Sequence, residues 1–545
     1  MQSISGHLID LHQRKIYPAF VHIKNGKIAN IETAKADEVA EGYLLPGFVD
    51  AHVHIESSML PPTEFGRLAV VHGTVATVSD PHEIANVLGV KGVAFMLEDA
   101  EKSPMKFCFG APSCVPATGF ETAGAILNAD DVTALLQNPK IAYLSEMMNF
   151  PGVLFQDTEV MAKINAAKAL GKPIDGHAPG LRGEAAKNYF SHGISTDHEC
   201  FTYEEGREKA ELGVKILIRE GSAARNFEVL WQLINEFPEQ MMFCSDDKHP
   251  DDLIKNHINA LVARAIAKGC DLFDTLRAAC VNPVEHYRLP VGLLKIGDAA
   301  DLIRVKNLTD FDVLNTWING ELLAENGQTK LRYQATETPN QFVVLPKKIS
   351  DFNLFSDKKT VEVKVIRAWD GQIVTGNENA MLNVDNESVT TDLSQDILKI
   401  VVVNRYALNE KVAIGFVKGF GMTSGAIASS VAHDSHNIVA VGVDDTAICE
   451  AVNAVIAAKG GISAFDGKES KSLALPIAGL MSNANGYELA QTYADLDNWT
   501  KESLGSTLRT PFMVLSFLAL PVIPALKMTD LGLFDVEKFD FVGVI

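Results

Sequence analysis

The chain has 545 residues, 47% of them hydrophobic, and a formal net charge of -21. This length predicts two or three structural units with large cores. The negative charge disfavours a nucleic-acid partner, because it repels a phosphate backbone, and it favours a small neutral substrate. The seven cysteines are scattered without a Cys-x-x-Cys pair, and the N-terminus lacks a basic start followed by an apolar run. We therefore expect a cytoplasmic protein with reduced thiols and no membrane partner.

Short β-strands are predicted at both flanks of a central region. Within residues 1–45, two alternating segments flank Asn25-Gly26, and Asn-Gly between such segments is typical of a hairpin turn. Residues 285–340 return to turns and short strands. We expect the two flanks to pair and to form one small β-sandwich domain.

The central region, residues 46–284, alternates apolar strands with Ala-rich helices. This alternation predicts the α/β class and a (β/α)8 TIM-type barrel. In such a barrel the active site lies at the carboxyl ends of the strands.

Residues 347–545 are predicted to form a further domain of α/β or α+β type. Its most apolar late segment, residues 511–526, is too short for a membrane span and contains three prolines. We expect this segment to be a buried strand and turn, because proline breaks helices.

Two histidines end the first predicted strand of the barrel. His52 and His54 are one residue apart, so their side chains lie on the same face of a strand. Two imidazoles at a strand end can hold a divalent metal, which lowers the pKa of a bound water. The alternative is a strand with two unrelated histidines, and further ligands decide between the two.

Four more potential ligands directly follow predicted barrel strands. They are Glu146, His177, His198 and Asp246. Each of them alone is weak evidence, because a polar residue commonly follows a strand at a turn. Together with His52 and His54 they place a polar ligand at one strand end after another, which predicts a metal centre at this rim.

The sequence resembles the amidohydrolase superfamily, and more closely the adenine deaminase family, over nearly its full length. The resemblance rests on these motifs: LPGFVDAHVHIESS (45–58), SDPHEIANVLG (79–89), EMMN (146–149), DGHAPGL (175–181), STDHE (195–199), SDD (245–247), SSVAHDSHN (429–437) and LPIAGLMS (475–482). The last two look like the carboxyl-terminal domain of that family.

The resemblance implies hydrolysis of adenine to hypoxanthine and ammonia in purine salvage, at a site with two divalent metals. Manganese or iron is usual there, and the ligand types also permit zinc. The implied metal ligands are His52, His54, Glu146, His177, His198 and Asp246. Glu146 would bridge the metals, where many superfamily members use a modified lysine. Hydroxide held by the metals would attack C6, and Asp246 would carry its proton to the departing amine.

Other polar residues near the strand ends have less specific roles. Glu56, Asp80, His82 and Glu83 either line the substrate pocket or, as for Glu83, are favoured by the macrodipole at a helix start. Asp197 and Glu199 are candidates to hold the neighbouring histidines, and Asp247 either does the same or faces solvent. His433 and His436 fit a turn or core role better than a metal-binding role.

Two alternatives remain open on this scaffold. Another amidohydrolase, acting on a cyclic amide, a cyclic amidine or a nucleoside, would need the same metal set. A non-catalytic metal-binding scaffold protein is the second alternative, although it would not need all six ligands. By analogy with the family we also expect a homo-oligomer.

Overall fold

The first half of the chain consists of a barrel and a sheet built from both of its flanks. The computed structural model describes residues 2–545. Its strands, in chain order, are β1 (Gln2–Asp10), β2 (Lys15–Lys24), β3 (Lys27–Thr33), β4 (Tyr43–Pro46), β5 (Phe48–Val53), β6 (Thr74–Ser79), β7 (Lys106–Ala111), β8 (Ile141–Met147), β9 (Ile174–Gly176), β10 (Thr196–Asp197), β11 (Lys215–Arg219), β12 (Met241–Cys244), β13 (Leu302–Val305), β14 (Val313–Ile318), β15 (Glu321–Glu325) and β16 (Gln328–Thr329).

The flanking strands form one eight-stranded sheet in the order β16-β15-β14-β13-β4-β1-β2-β3. The two flanks meet where β4 pairs antiparallel with β13, with Leu302 opposite Pro46. Leu302 and Trp317 share a buried core with Val21 and Ile28, which lie several strands away. The sheet therefore folds over on itself, and the predicted pairing of the two flanks is confirmed.

Strands β5 to β12 form the predicted barrel. They make two parallel sheets, β5 to β9 and β10 to β12. Ser195 N donates to Ile174 O at 2.9 Å across the junction of these sheets. The ring closes between β12 and β5, where Asp246 N donates to His52 O at 3.0 Å and His54 N donates to Asp246 O at 3.2 Å. Closure of the barrel thus places three predicted ligands side by side.

Helices follow the barrel strands and cover their outer faces. They are α1 (Pro62–Ala69), α2 (His82–Leu88), α3 (Val90–Ala100), α4 (Ala129–Gln137), α5 (Phe150–Leu154), α6 (Thr158–Ala169), α7 (Gly183–Ser191), α8 (Tyr203–Glu211), α9 (Phe227–Leu230), α10 (Leu233–Glu236), α11 (Pro250–Leu253), α12 (Ile258–Ala267), α13 (Leu272–Leu276) and α14 (Asn282–Tyr287). The Asp157 side chain caps α6 by accepting from Glu159 N and Val160 N, which the first turn leaves unpaired.

The C-terminal half is a domain of mostly antiparallel strands with three helices. Its elements are β17 (Thr360–Arg367), β18 (Gly376–Asp385), β19 (Ser388–Val389), β20 (Ile397–Val403), β21 (Ala413–Lys418), β22 (Ala426–Ser429), β23 (Ile438–Gly442), α15 (Asp445–Ala457), β24 (Gly461–Phe465), β25 (Ser470–Ala474), α16 (Gly486–Leu504), α17 (Pro511–Phe517), β26 (Leu526–Thr529), β27 (Gly532–Asp535) and β28 (Asp540–Phe541). The first nine strands form one sheet in the order β19-β18-β17-β21-β20-β23-β22-β24-β25.

The two faces of this sheet pack against different partners. Side chains alternate along β20, so Val401 and Val403 join the cluster around α15. Ile400 and Val402 point the other way and join the core that continues into the barrel. The domain is therefore of the α+β type and is fastened to the barrel through its sheet.

One segment differs from its prediction. Residues 511–526 were expected to be a strand and turn, but Pro511–Phe517 is a helix and only the last residue of the segment begins β26. Pro511 occupies the first helical position, where a missing N–H costs nothing and the fixed φ suits a helix. The prediction was wrong because proline starts this helix instead of breaking it.

A single hydrophobic core runs from the barrel into the C-terminal domain. The domain boundaries given by the sequence, after residues 45, 284 and 340 and before residue 347, stay a prediction. Within residues 2–545, no helix is both long enough and apolar enough to cross a bilayer.

Candidate metal centre and substrate pocket

The six predicted ligands lie together at the carboxyl ends of five barrel strands. His52 and His54 come from the end of β5, Glu146 from β8, His177 and His198 from just after β9 and β10, and Asp246 from just after β12. All six side chains are buried.

Asp246 lies against the two histidines of the His-x-His motif. His52 Nε2 and His54 Nε2 are 3.2 Å apart. They lie 3.4 and 3.2 Å from Asp246 Oδ1. One small volume is thus surrounded by two imidazole nitrogens and a carboxylate oxygen.

Glu146 connects this group with the other two histidines. Its Oε1 lies 3.4 Å from His54 Nε2. Its Oε2 lies 2.7 Å from His177 Nδ1 and 3.1 Å from His198 Nε2. Each carboxylate oxygen therefore faces a different set of imidazoles.

A buried arginine, Arg219, links two acidic residues of the site. Its Nη1 donates to Asp246 Oδ2 at 2.7 Å and also to Glu199 Oε1, while Nη2 donates to Glu199 Oε2 at 3.1 Å. Glu199 Oε1 also lies 3.4 Å from His198 Nε2, so its predicted role of holding this histidine stays a prediction. Asp197 was expected to do the same, but its Oδ2 accepts from Lys209 Nζ at 2.6 Å instead. That prediction was wrong because a buried lysine on α8 competes for the carboxylate.

The polar residues that follow β5 and β6 have different surroundings. His82 lines the central cavity, and its Nδ1 lies 3.5 Å from Glu146 Oε1 and 3.0 Å from Asp80 Oδ2. The hydrogen bond to Asp80 thus holds the orientation of the His82 ring. Glu56 Oε1 accepts from Ile84 N at 3.2 Å, at the start of α2.

Glu83 joins the barrel to the C-terminal domain. It lies in the first turn of α2, but its carboxylate accepts from His433 Nδ1 and, at 2.5 Å, from His436 Nε2. Both histidines are buried. The His433 ring also stacks on Phe517, with 4.5 Å between ring centroids and 15° between planes. These histidines are therefore buried and paired with Glu83, and they join the C-terminal domain to the barrel beside the candidate metal centre.

The central cavity has a polar barrel side and an apolar side from the C-terminal domain. The apolar side includes Phe517, Leu520 and Ile523, together with Met148 from the barrel. Asp247 also lines the cavity, is buried instead of facing solvent, and accepts from Ser57 Oγ at 2.5 Å.

A larger apolar chamber lies next to this cavity. The cavity has a volume of about 30 Å³, whereas the chamber has about 560 Å³. Leu520 and Ile523 line the cavity, while Pro521, Val522 and Pro524 of the same segment line the chamber. This segment is the partition between the two spaces.

Comparison with known proteins covers both halves of the chain. Residues 43–323 match the amidohydrolase family, and residues 372–540 match the adenine deaminase C-terminal domain. The chain is 56% identical to adenine deaminase of Sulfurovum sp. (strain NBC37-1) over 98% of both chains. It is 53% identical to adenine deaminase of Salinibacter ruber, over 99% of this chain and 98% of the relative. It is 50% identical to adenine deaminase of Methanosarcina mazei, over 100% and 99%.

The chain belongs to the adenine deaminase family. Both matched regions contribute to the site: the barrel carries the six predicted ligands, and the C-terminal domain carries His433, His436 and most of the apolar side of the cavity. The resemblance seen in the motifs is thereby confirmed over the whole chain.

The amidohydrolase family implies a divalent metal, and the buried residues fit one. Several groups of three or four donors lie with their ligand atoms within 4.8 Å of one another, among them His52, His54 and Asp246. Imidazole and carboxylate are the usual ligands of divalent transition metals. His52 Nδ1 is buried without a hydrogen-bond partner among residues 2–545, so this ring is not held by the hydrogen bonds of an ordinary core histidine.

The electrostatics of the site keep its two central carboxylates ionised. Burial raises the pKa of Glu146, but His177 and His198 outweigh it and bring the pKa well below its ordinary value. For Asp246 the effect of burial is outweighed by the charge of Arg219 and by His52 and His54, so its pKa is also well below the ordinary value. An ionised carboxylate can bind a cation or accept a proton.

Sequence reasoning missed Arg219, Asp434 and Phe517 among the residues at the site. Arg219 is the last residue of β11, and the end of a barrel strand is itself a signal for function. Asp434 lies in the 429–437 motif, between the two histidines. Nothing in the local pattern around Phe517 indicates that it reaches the barrel.

Proposed function

We propose that this chain hydrolyses adenine to hypoxanthine and ammonia, as in purine salvage. One water is consumed: its oxygen becomes the C6 oxygen, and the amino group leaves as ammonia. The observation that carries the proposal is the identity of 50 to 56% to three adenine deaminases over at least 98% of each chain, including both the barrel and the C-terminal domain. The alternatives on the same scaffold have no comparable support.

We infer that the six predicted ligands would hold two divalent ions, with Glu146 between them. Manganese and iron are the proposed metals, and zinc is compatible with the same donors. When bound, such ions supply Lewis acidity that makes water a nucleophile near neutral pH.

Asp246 is proposed as the residue that carries the proton. Arg219 holds Oδ2, while Oδ1 faces His52 and His54. This arrangement leaves one oxygen directed at the centre of the site and keeps the carboxylate ionised. Asp246 would take a proton from the attacking water and deliver it to the departing amine.

The C-terminal domain is proposed to exclude bulk water from the reacting atoms. Phe517, Leu520 and Ile523 cover the polar barrel side of the cavity. A site shielded in this way strengthens the interactions of its charged groups.

The deciding experiment follows four compounds with purified, metal-reconstituted protein: adenine, adenosine, cytosine and dihydroorotate. Optical loss of each compound and release of ammonia are measured. We expect turnover of adenine alone. Turnover of adenosine without adenine would assign a nucleoside substrate, turnover of dihydroorotate would assign ring opening, and full metal loading without any turnover would favour the scaffold alternative.

We further propose a cytoplasmic homo-oligomer without nucleic-acid or membrane partners. The net charge of -21 and the scattered cysteines support the location and the absence of a polyanionic partner. Sedimentation velocity of the metal-loaded protein tests the oligomer, which a single monomeric species would contradict.

A further inference from the structure

One carboxylate oxygen at the cavity has no hydrogen-bond partner in the part of the chain that the structure describes. Asp434 is 2% exposed and lines the cavity. Its Oδ2 has no hydrogen-bond partner among residues 2–545. A buried acceptor left without a partner costs free energy, so a donor or a cation from outside the chain is expected at this position. Asp434 also lies within reach of His82 and Glu83 as part of a group that could hold an ion, so metal content must be measured in its variants.

The neighbouring histidines are committed elsewhere. His433 and His436 both donate to Glu83. His82 uses Nδ1 on Asp80, and its Nε2 lies 3.8 Å from Asp434 Oδ1, beyond hydrogen-bond distance. None of these three imidazole rings therefore donates a hydrogen bond to Asp434 Oδ2.

The surroundings of Asp434 define the shape of that donor. Its own domain contributes Phe517, Leu520 and Ile523 to the same cavity. A single acceptor beside an apolar side suits a flat aromatic ring with an N–H on its edge. Since the cavity has a volume of about 30 Å³, residues 520–524 would have to move to admit such a ring.

Adenine has two kinds of N–H group. The amino group on C6 must face the ligand cluster and Asp246, because it is the group that leaves. The remaining N–H is on the imidazole ring. In a nucleoside a sugar replaces that hydrogen.

We propose that Asp434 Oδ2 accepts the imidazole N–H of the purine and thereby selects the free base over its nucleoside. This inference rests on the proposed deaminase function. It makes the C-terminal domain part of the substrate pocket. A site built to bond an N–H strongly rejects an analogue without it, because the buried acceptor is left unpaired.

The kinetic test uses Asp434→Ala and Asp434→Asn with adenine and with 9-methyladenine, which has no imidazole N–H. With adenine, kcat/KM of Asp434→Ala should fall about 10- to 100-fold, mainly through KM. With 9-methyladenine it should not fall. Asp434→Asn should keep more of the activity, because its amide oxygen can still accept. Equal losses with both purines in Asp434→Ala would overturn the proposal.

Two controls separate purine binding from other roles of Asp434. Metal content per chain should be the same in the wild type and Asp434→Ala, and loss of a metal equivalent would overturn the proposal by making Asp434 a ligand. Asp497 is a matched control, since its Oδ1 is also buried without a partner among residues 2–545 and it does not line the cavity. Asp497→Ala should leave the preference for adenine over 9-methyladenine unchanged.

A binding measurement separates this proposal from the function on which it rests. Hypoxanthine keeps the imidazole N–H and is not turned over, so calorimetry gives its Kd in either case. We expect Asp434→Ala to bind hypoxanthine about 10- to 100-fold more weakly than the wild type, with no such change for 9-methylhypoxanthine. Equal hypoxanthine Kd values would overturn the role of Asp434 even if adenine is deaminated. Absence of adenine turnover would overturn the function whatever the Kd values are.

Discussion

At the scale of single residues, the chemistry of the site depends on how charges are paired. Asp246 and Glu199 are buried carboxylates that share one guanidinium, that of Arg219. A buried charge is tolerated only when it is paired or binds a cation. Arg219, together with His52 and His54, therefore lowers the pKa of Asp246, and we expect it to act as a positioning residue through this carboxylate.

Replacing Asp246 by Asn tests the proton carrier directly. Asn keeps the shape and one oxygen, so metal content should stay nearly unchanged. Turnover of adenine should fall about 10²- to 10⁴-fold, the usual effect of losing a general base. Metal analysis and steady-state kinetics check this, with Asp251→Asn outside the cavity as the control. Wild-type turnover in Asp246→Asn would remove Asp246 from the mechanism.

Replacing Arg219 by Met should change the pH profile of adenine turnover. Without the positive charge, the pKa of Asp246 should rise, so the carboxylate becomes ionised only at higher pH. The acid limb of kcat/KM for adenine should therefore move to higher pH. Arg225→Met, at a partly exposed neighbouring arginine, should leave the profile in place. An unshifted acid limb in Arg219→Met would show that Arg219 does not control Asp246.

At the scale of elements, the apolar side of the cavity is held by a buried lysine on β26. Lys527 Nζ donates to Ile373 O at 2.7 Å and to Phe517 O at 2.8 Å. Burial lowers the pKa of Lys527 to about 7 from its ordinary 10.5. A neutral amine has two N–H groups, which match these two carbonyls. The lysine thus fixes two residues that line the cavity.

The stability of this element should depend on pH. Between pH 7 and 10.5 the Lys527 amine binds more protons in the unfolded chain than in the folded one, so the free energy of unfolding rises with pH over this range. Below pH 7 the folded state carries the full cost of burying a charged lysine. From pH 7 to 9 the gain is at most about 2 to 3 kcal/mol. The melting temperature of Lys527→Met, relative to wild type, should therefore be lower at pH 9 than at pH 6. The exposed Lys359→Met should show no such trend, and a pH-independent difference for Lys527→Met would contradict the assignment.

Elements also show where sequence reasoning works and where it stops. The convergence of His52, His54, Glu146, His177, His198 and Asp246 could be predicted because each lies at or just after the end of a barrel strand, and parallel strands bring their carboxyl ends to one rim. Their role as metal ligands stays a prediction. Glu83 and His433 were not predicted to meet, because they are 350 residues apart and only the docking of two domains joins them. Helix α17 was missed because composition alone does not distinguish a proline at the first position of a helix from a proline that breaks one.

At the scale of the whole molecule, the six predicted ligands and Glu199 form one buried group of ionisable side chains. Bound ions would offset the repulsion between Glu146, Asp246 and Glu199, so metal binding should stabilise the fold as well as enable turnover. Dialysis against a chelator should abolish adenine deamination and lower the melting temperature. Addition of manganese or iron should restore both. Full activity in protein shown by elemental analysis to be metal-free would contradict the proposed centre.

The partition at residues 520–524 has a consequence for how fast the protein can work. The cavity of about 30 Å³ is smaller than a purine, while the chamber beyond Pro521 and Val522 is far larger. We therefore expect residues 520–524 to move when adenine enters and again when hypoxanthine leaves. The rate of each catalytic cycle should then depend on this movement as well as on the chemistry in the barrel.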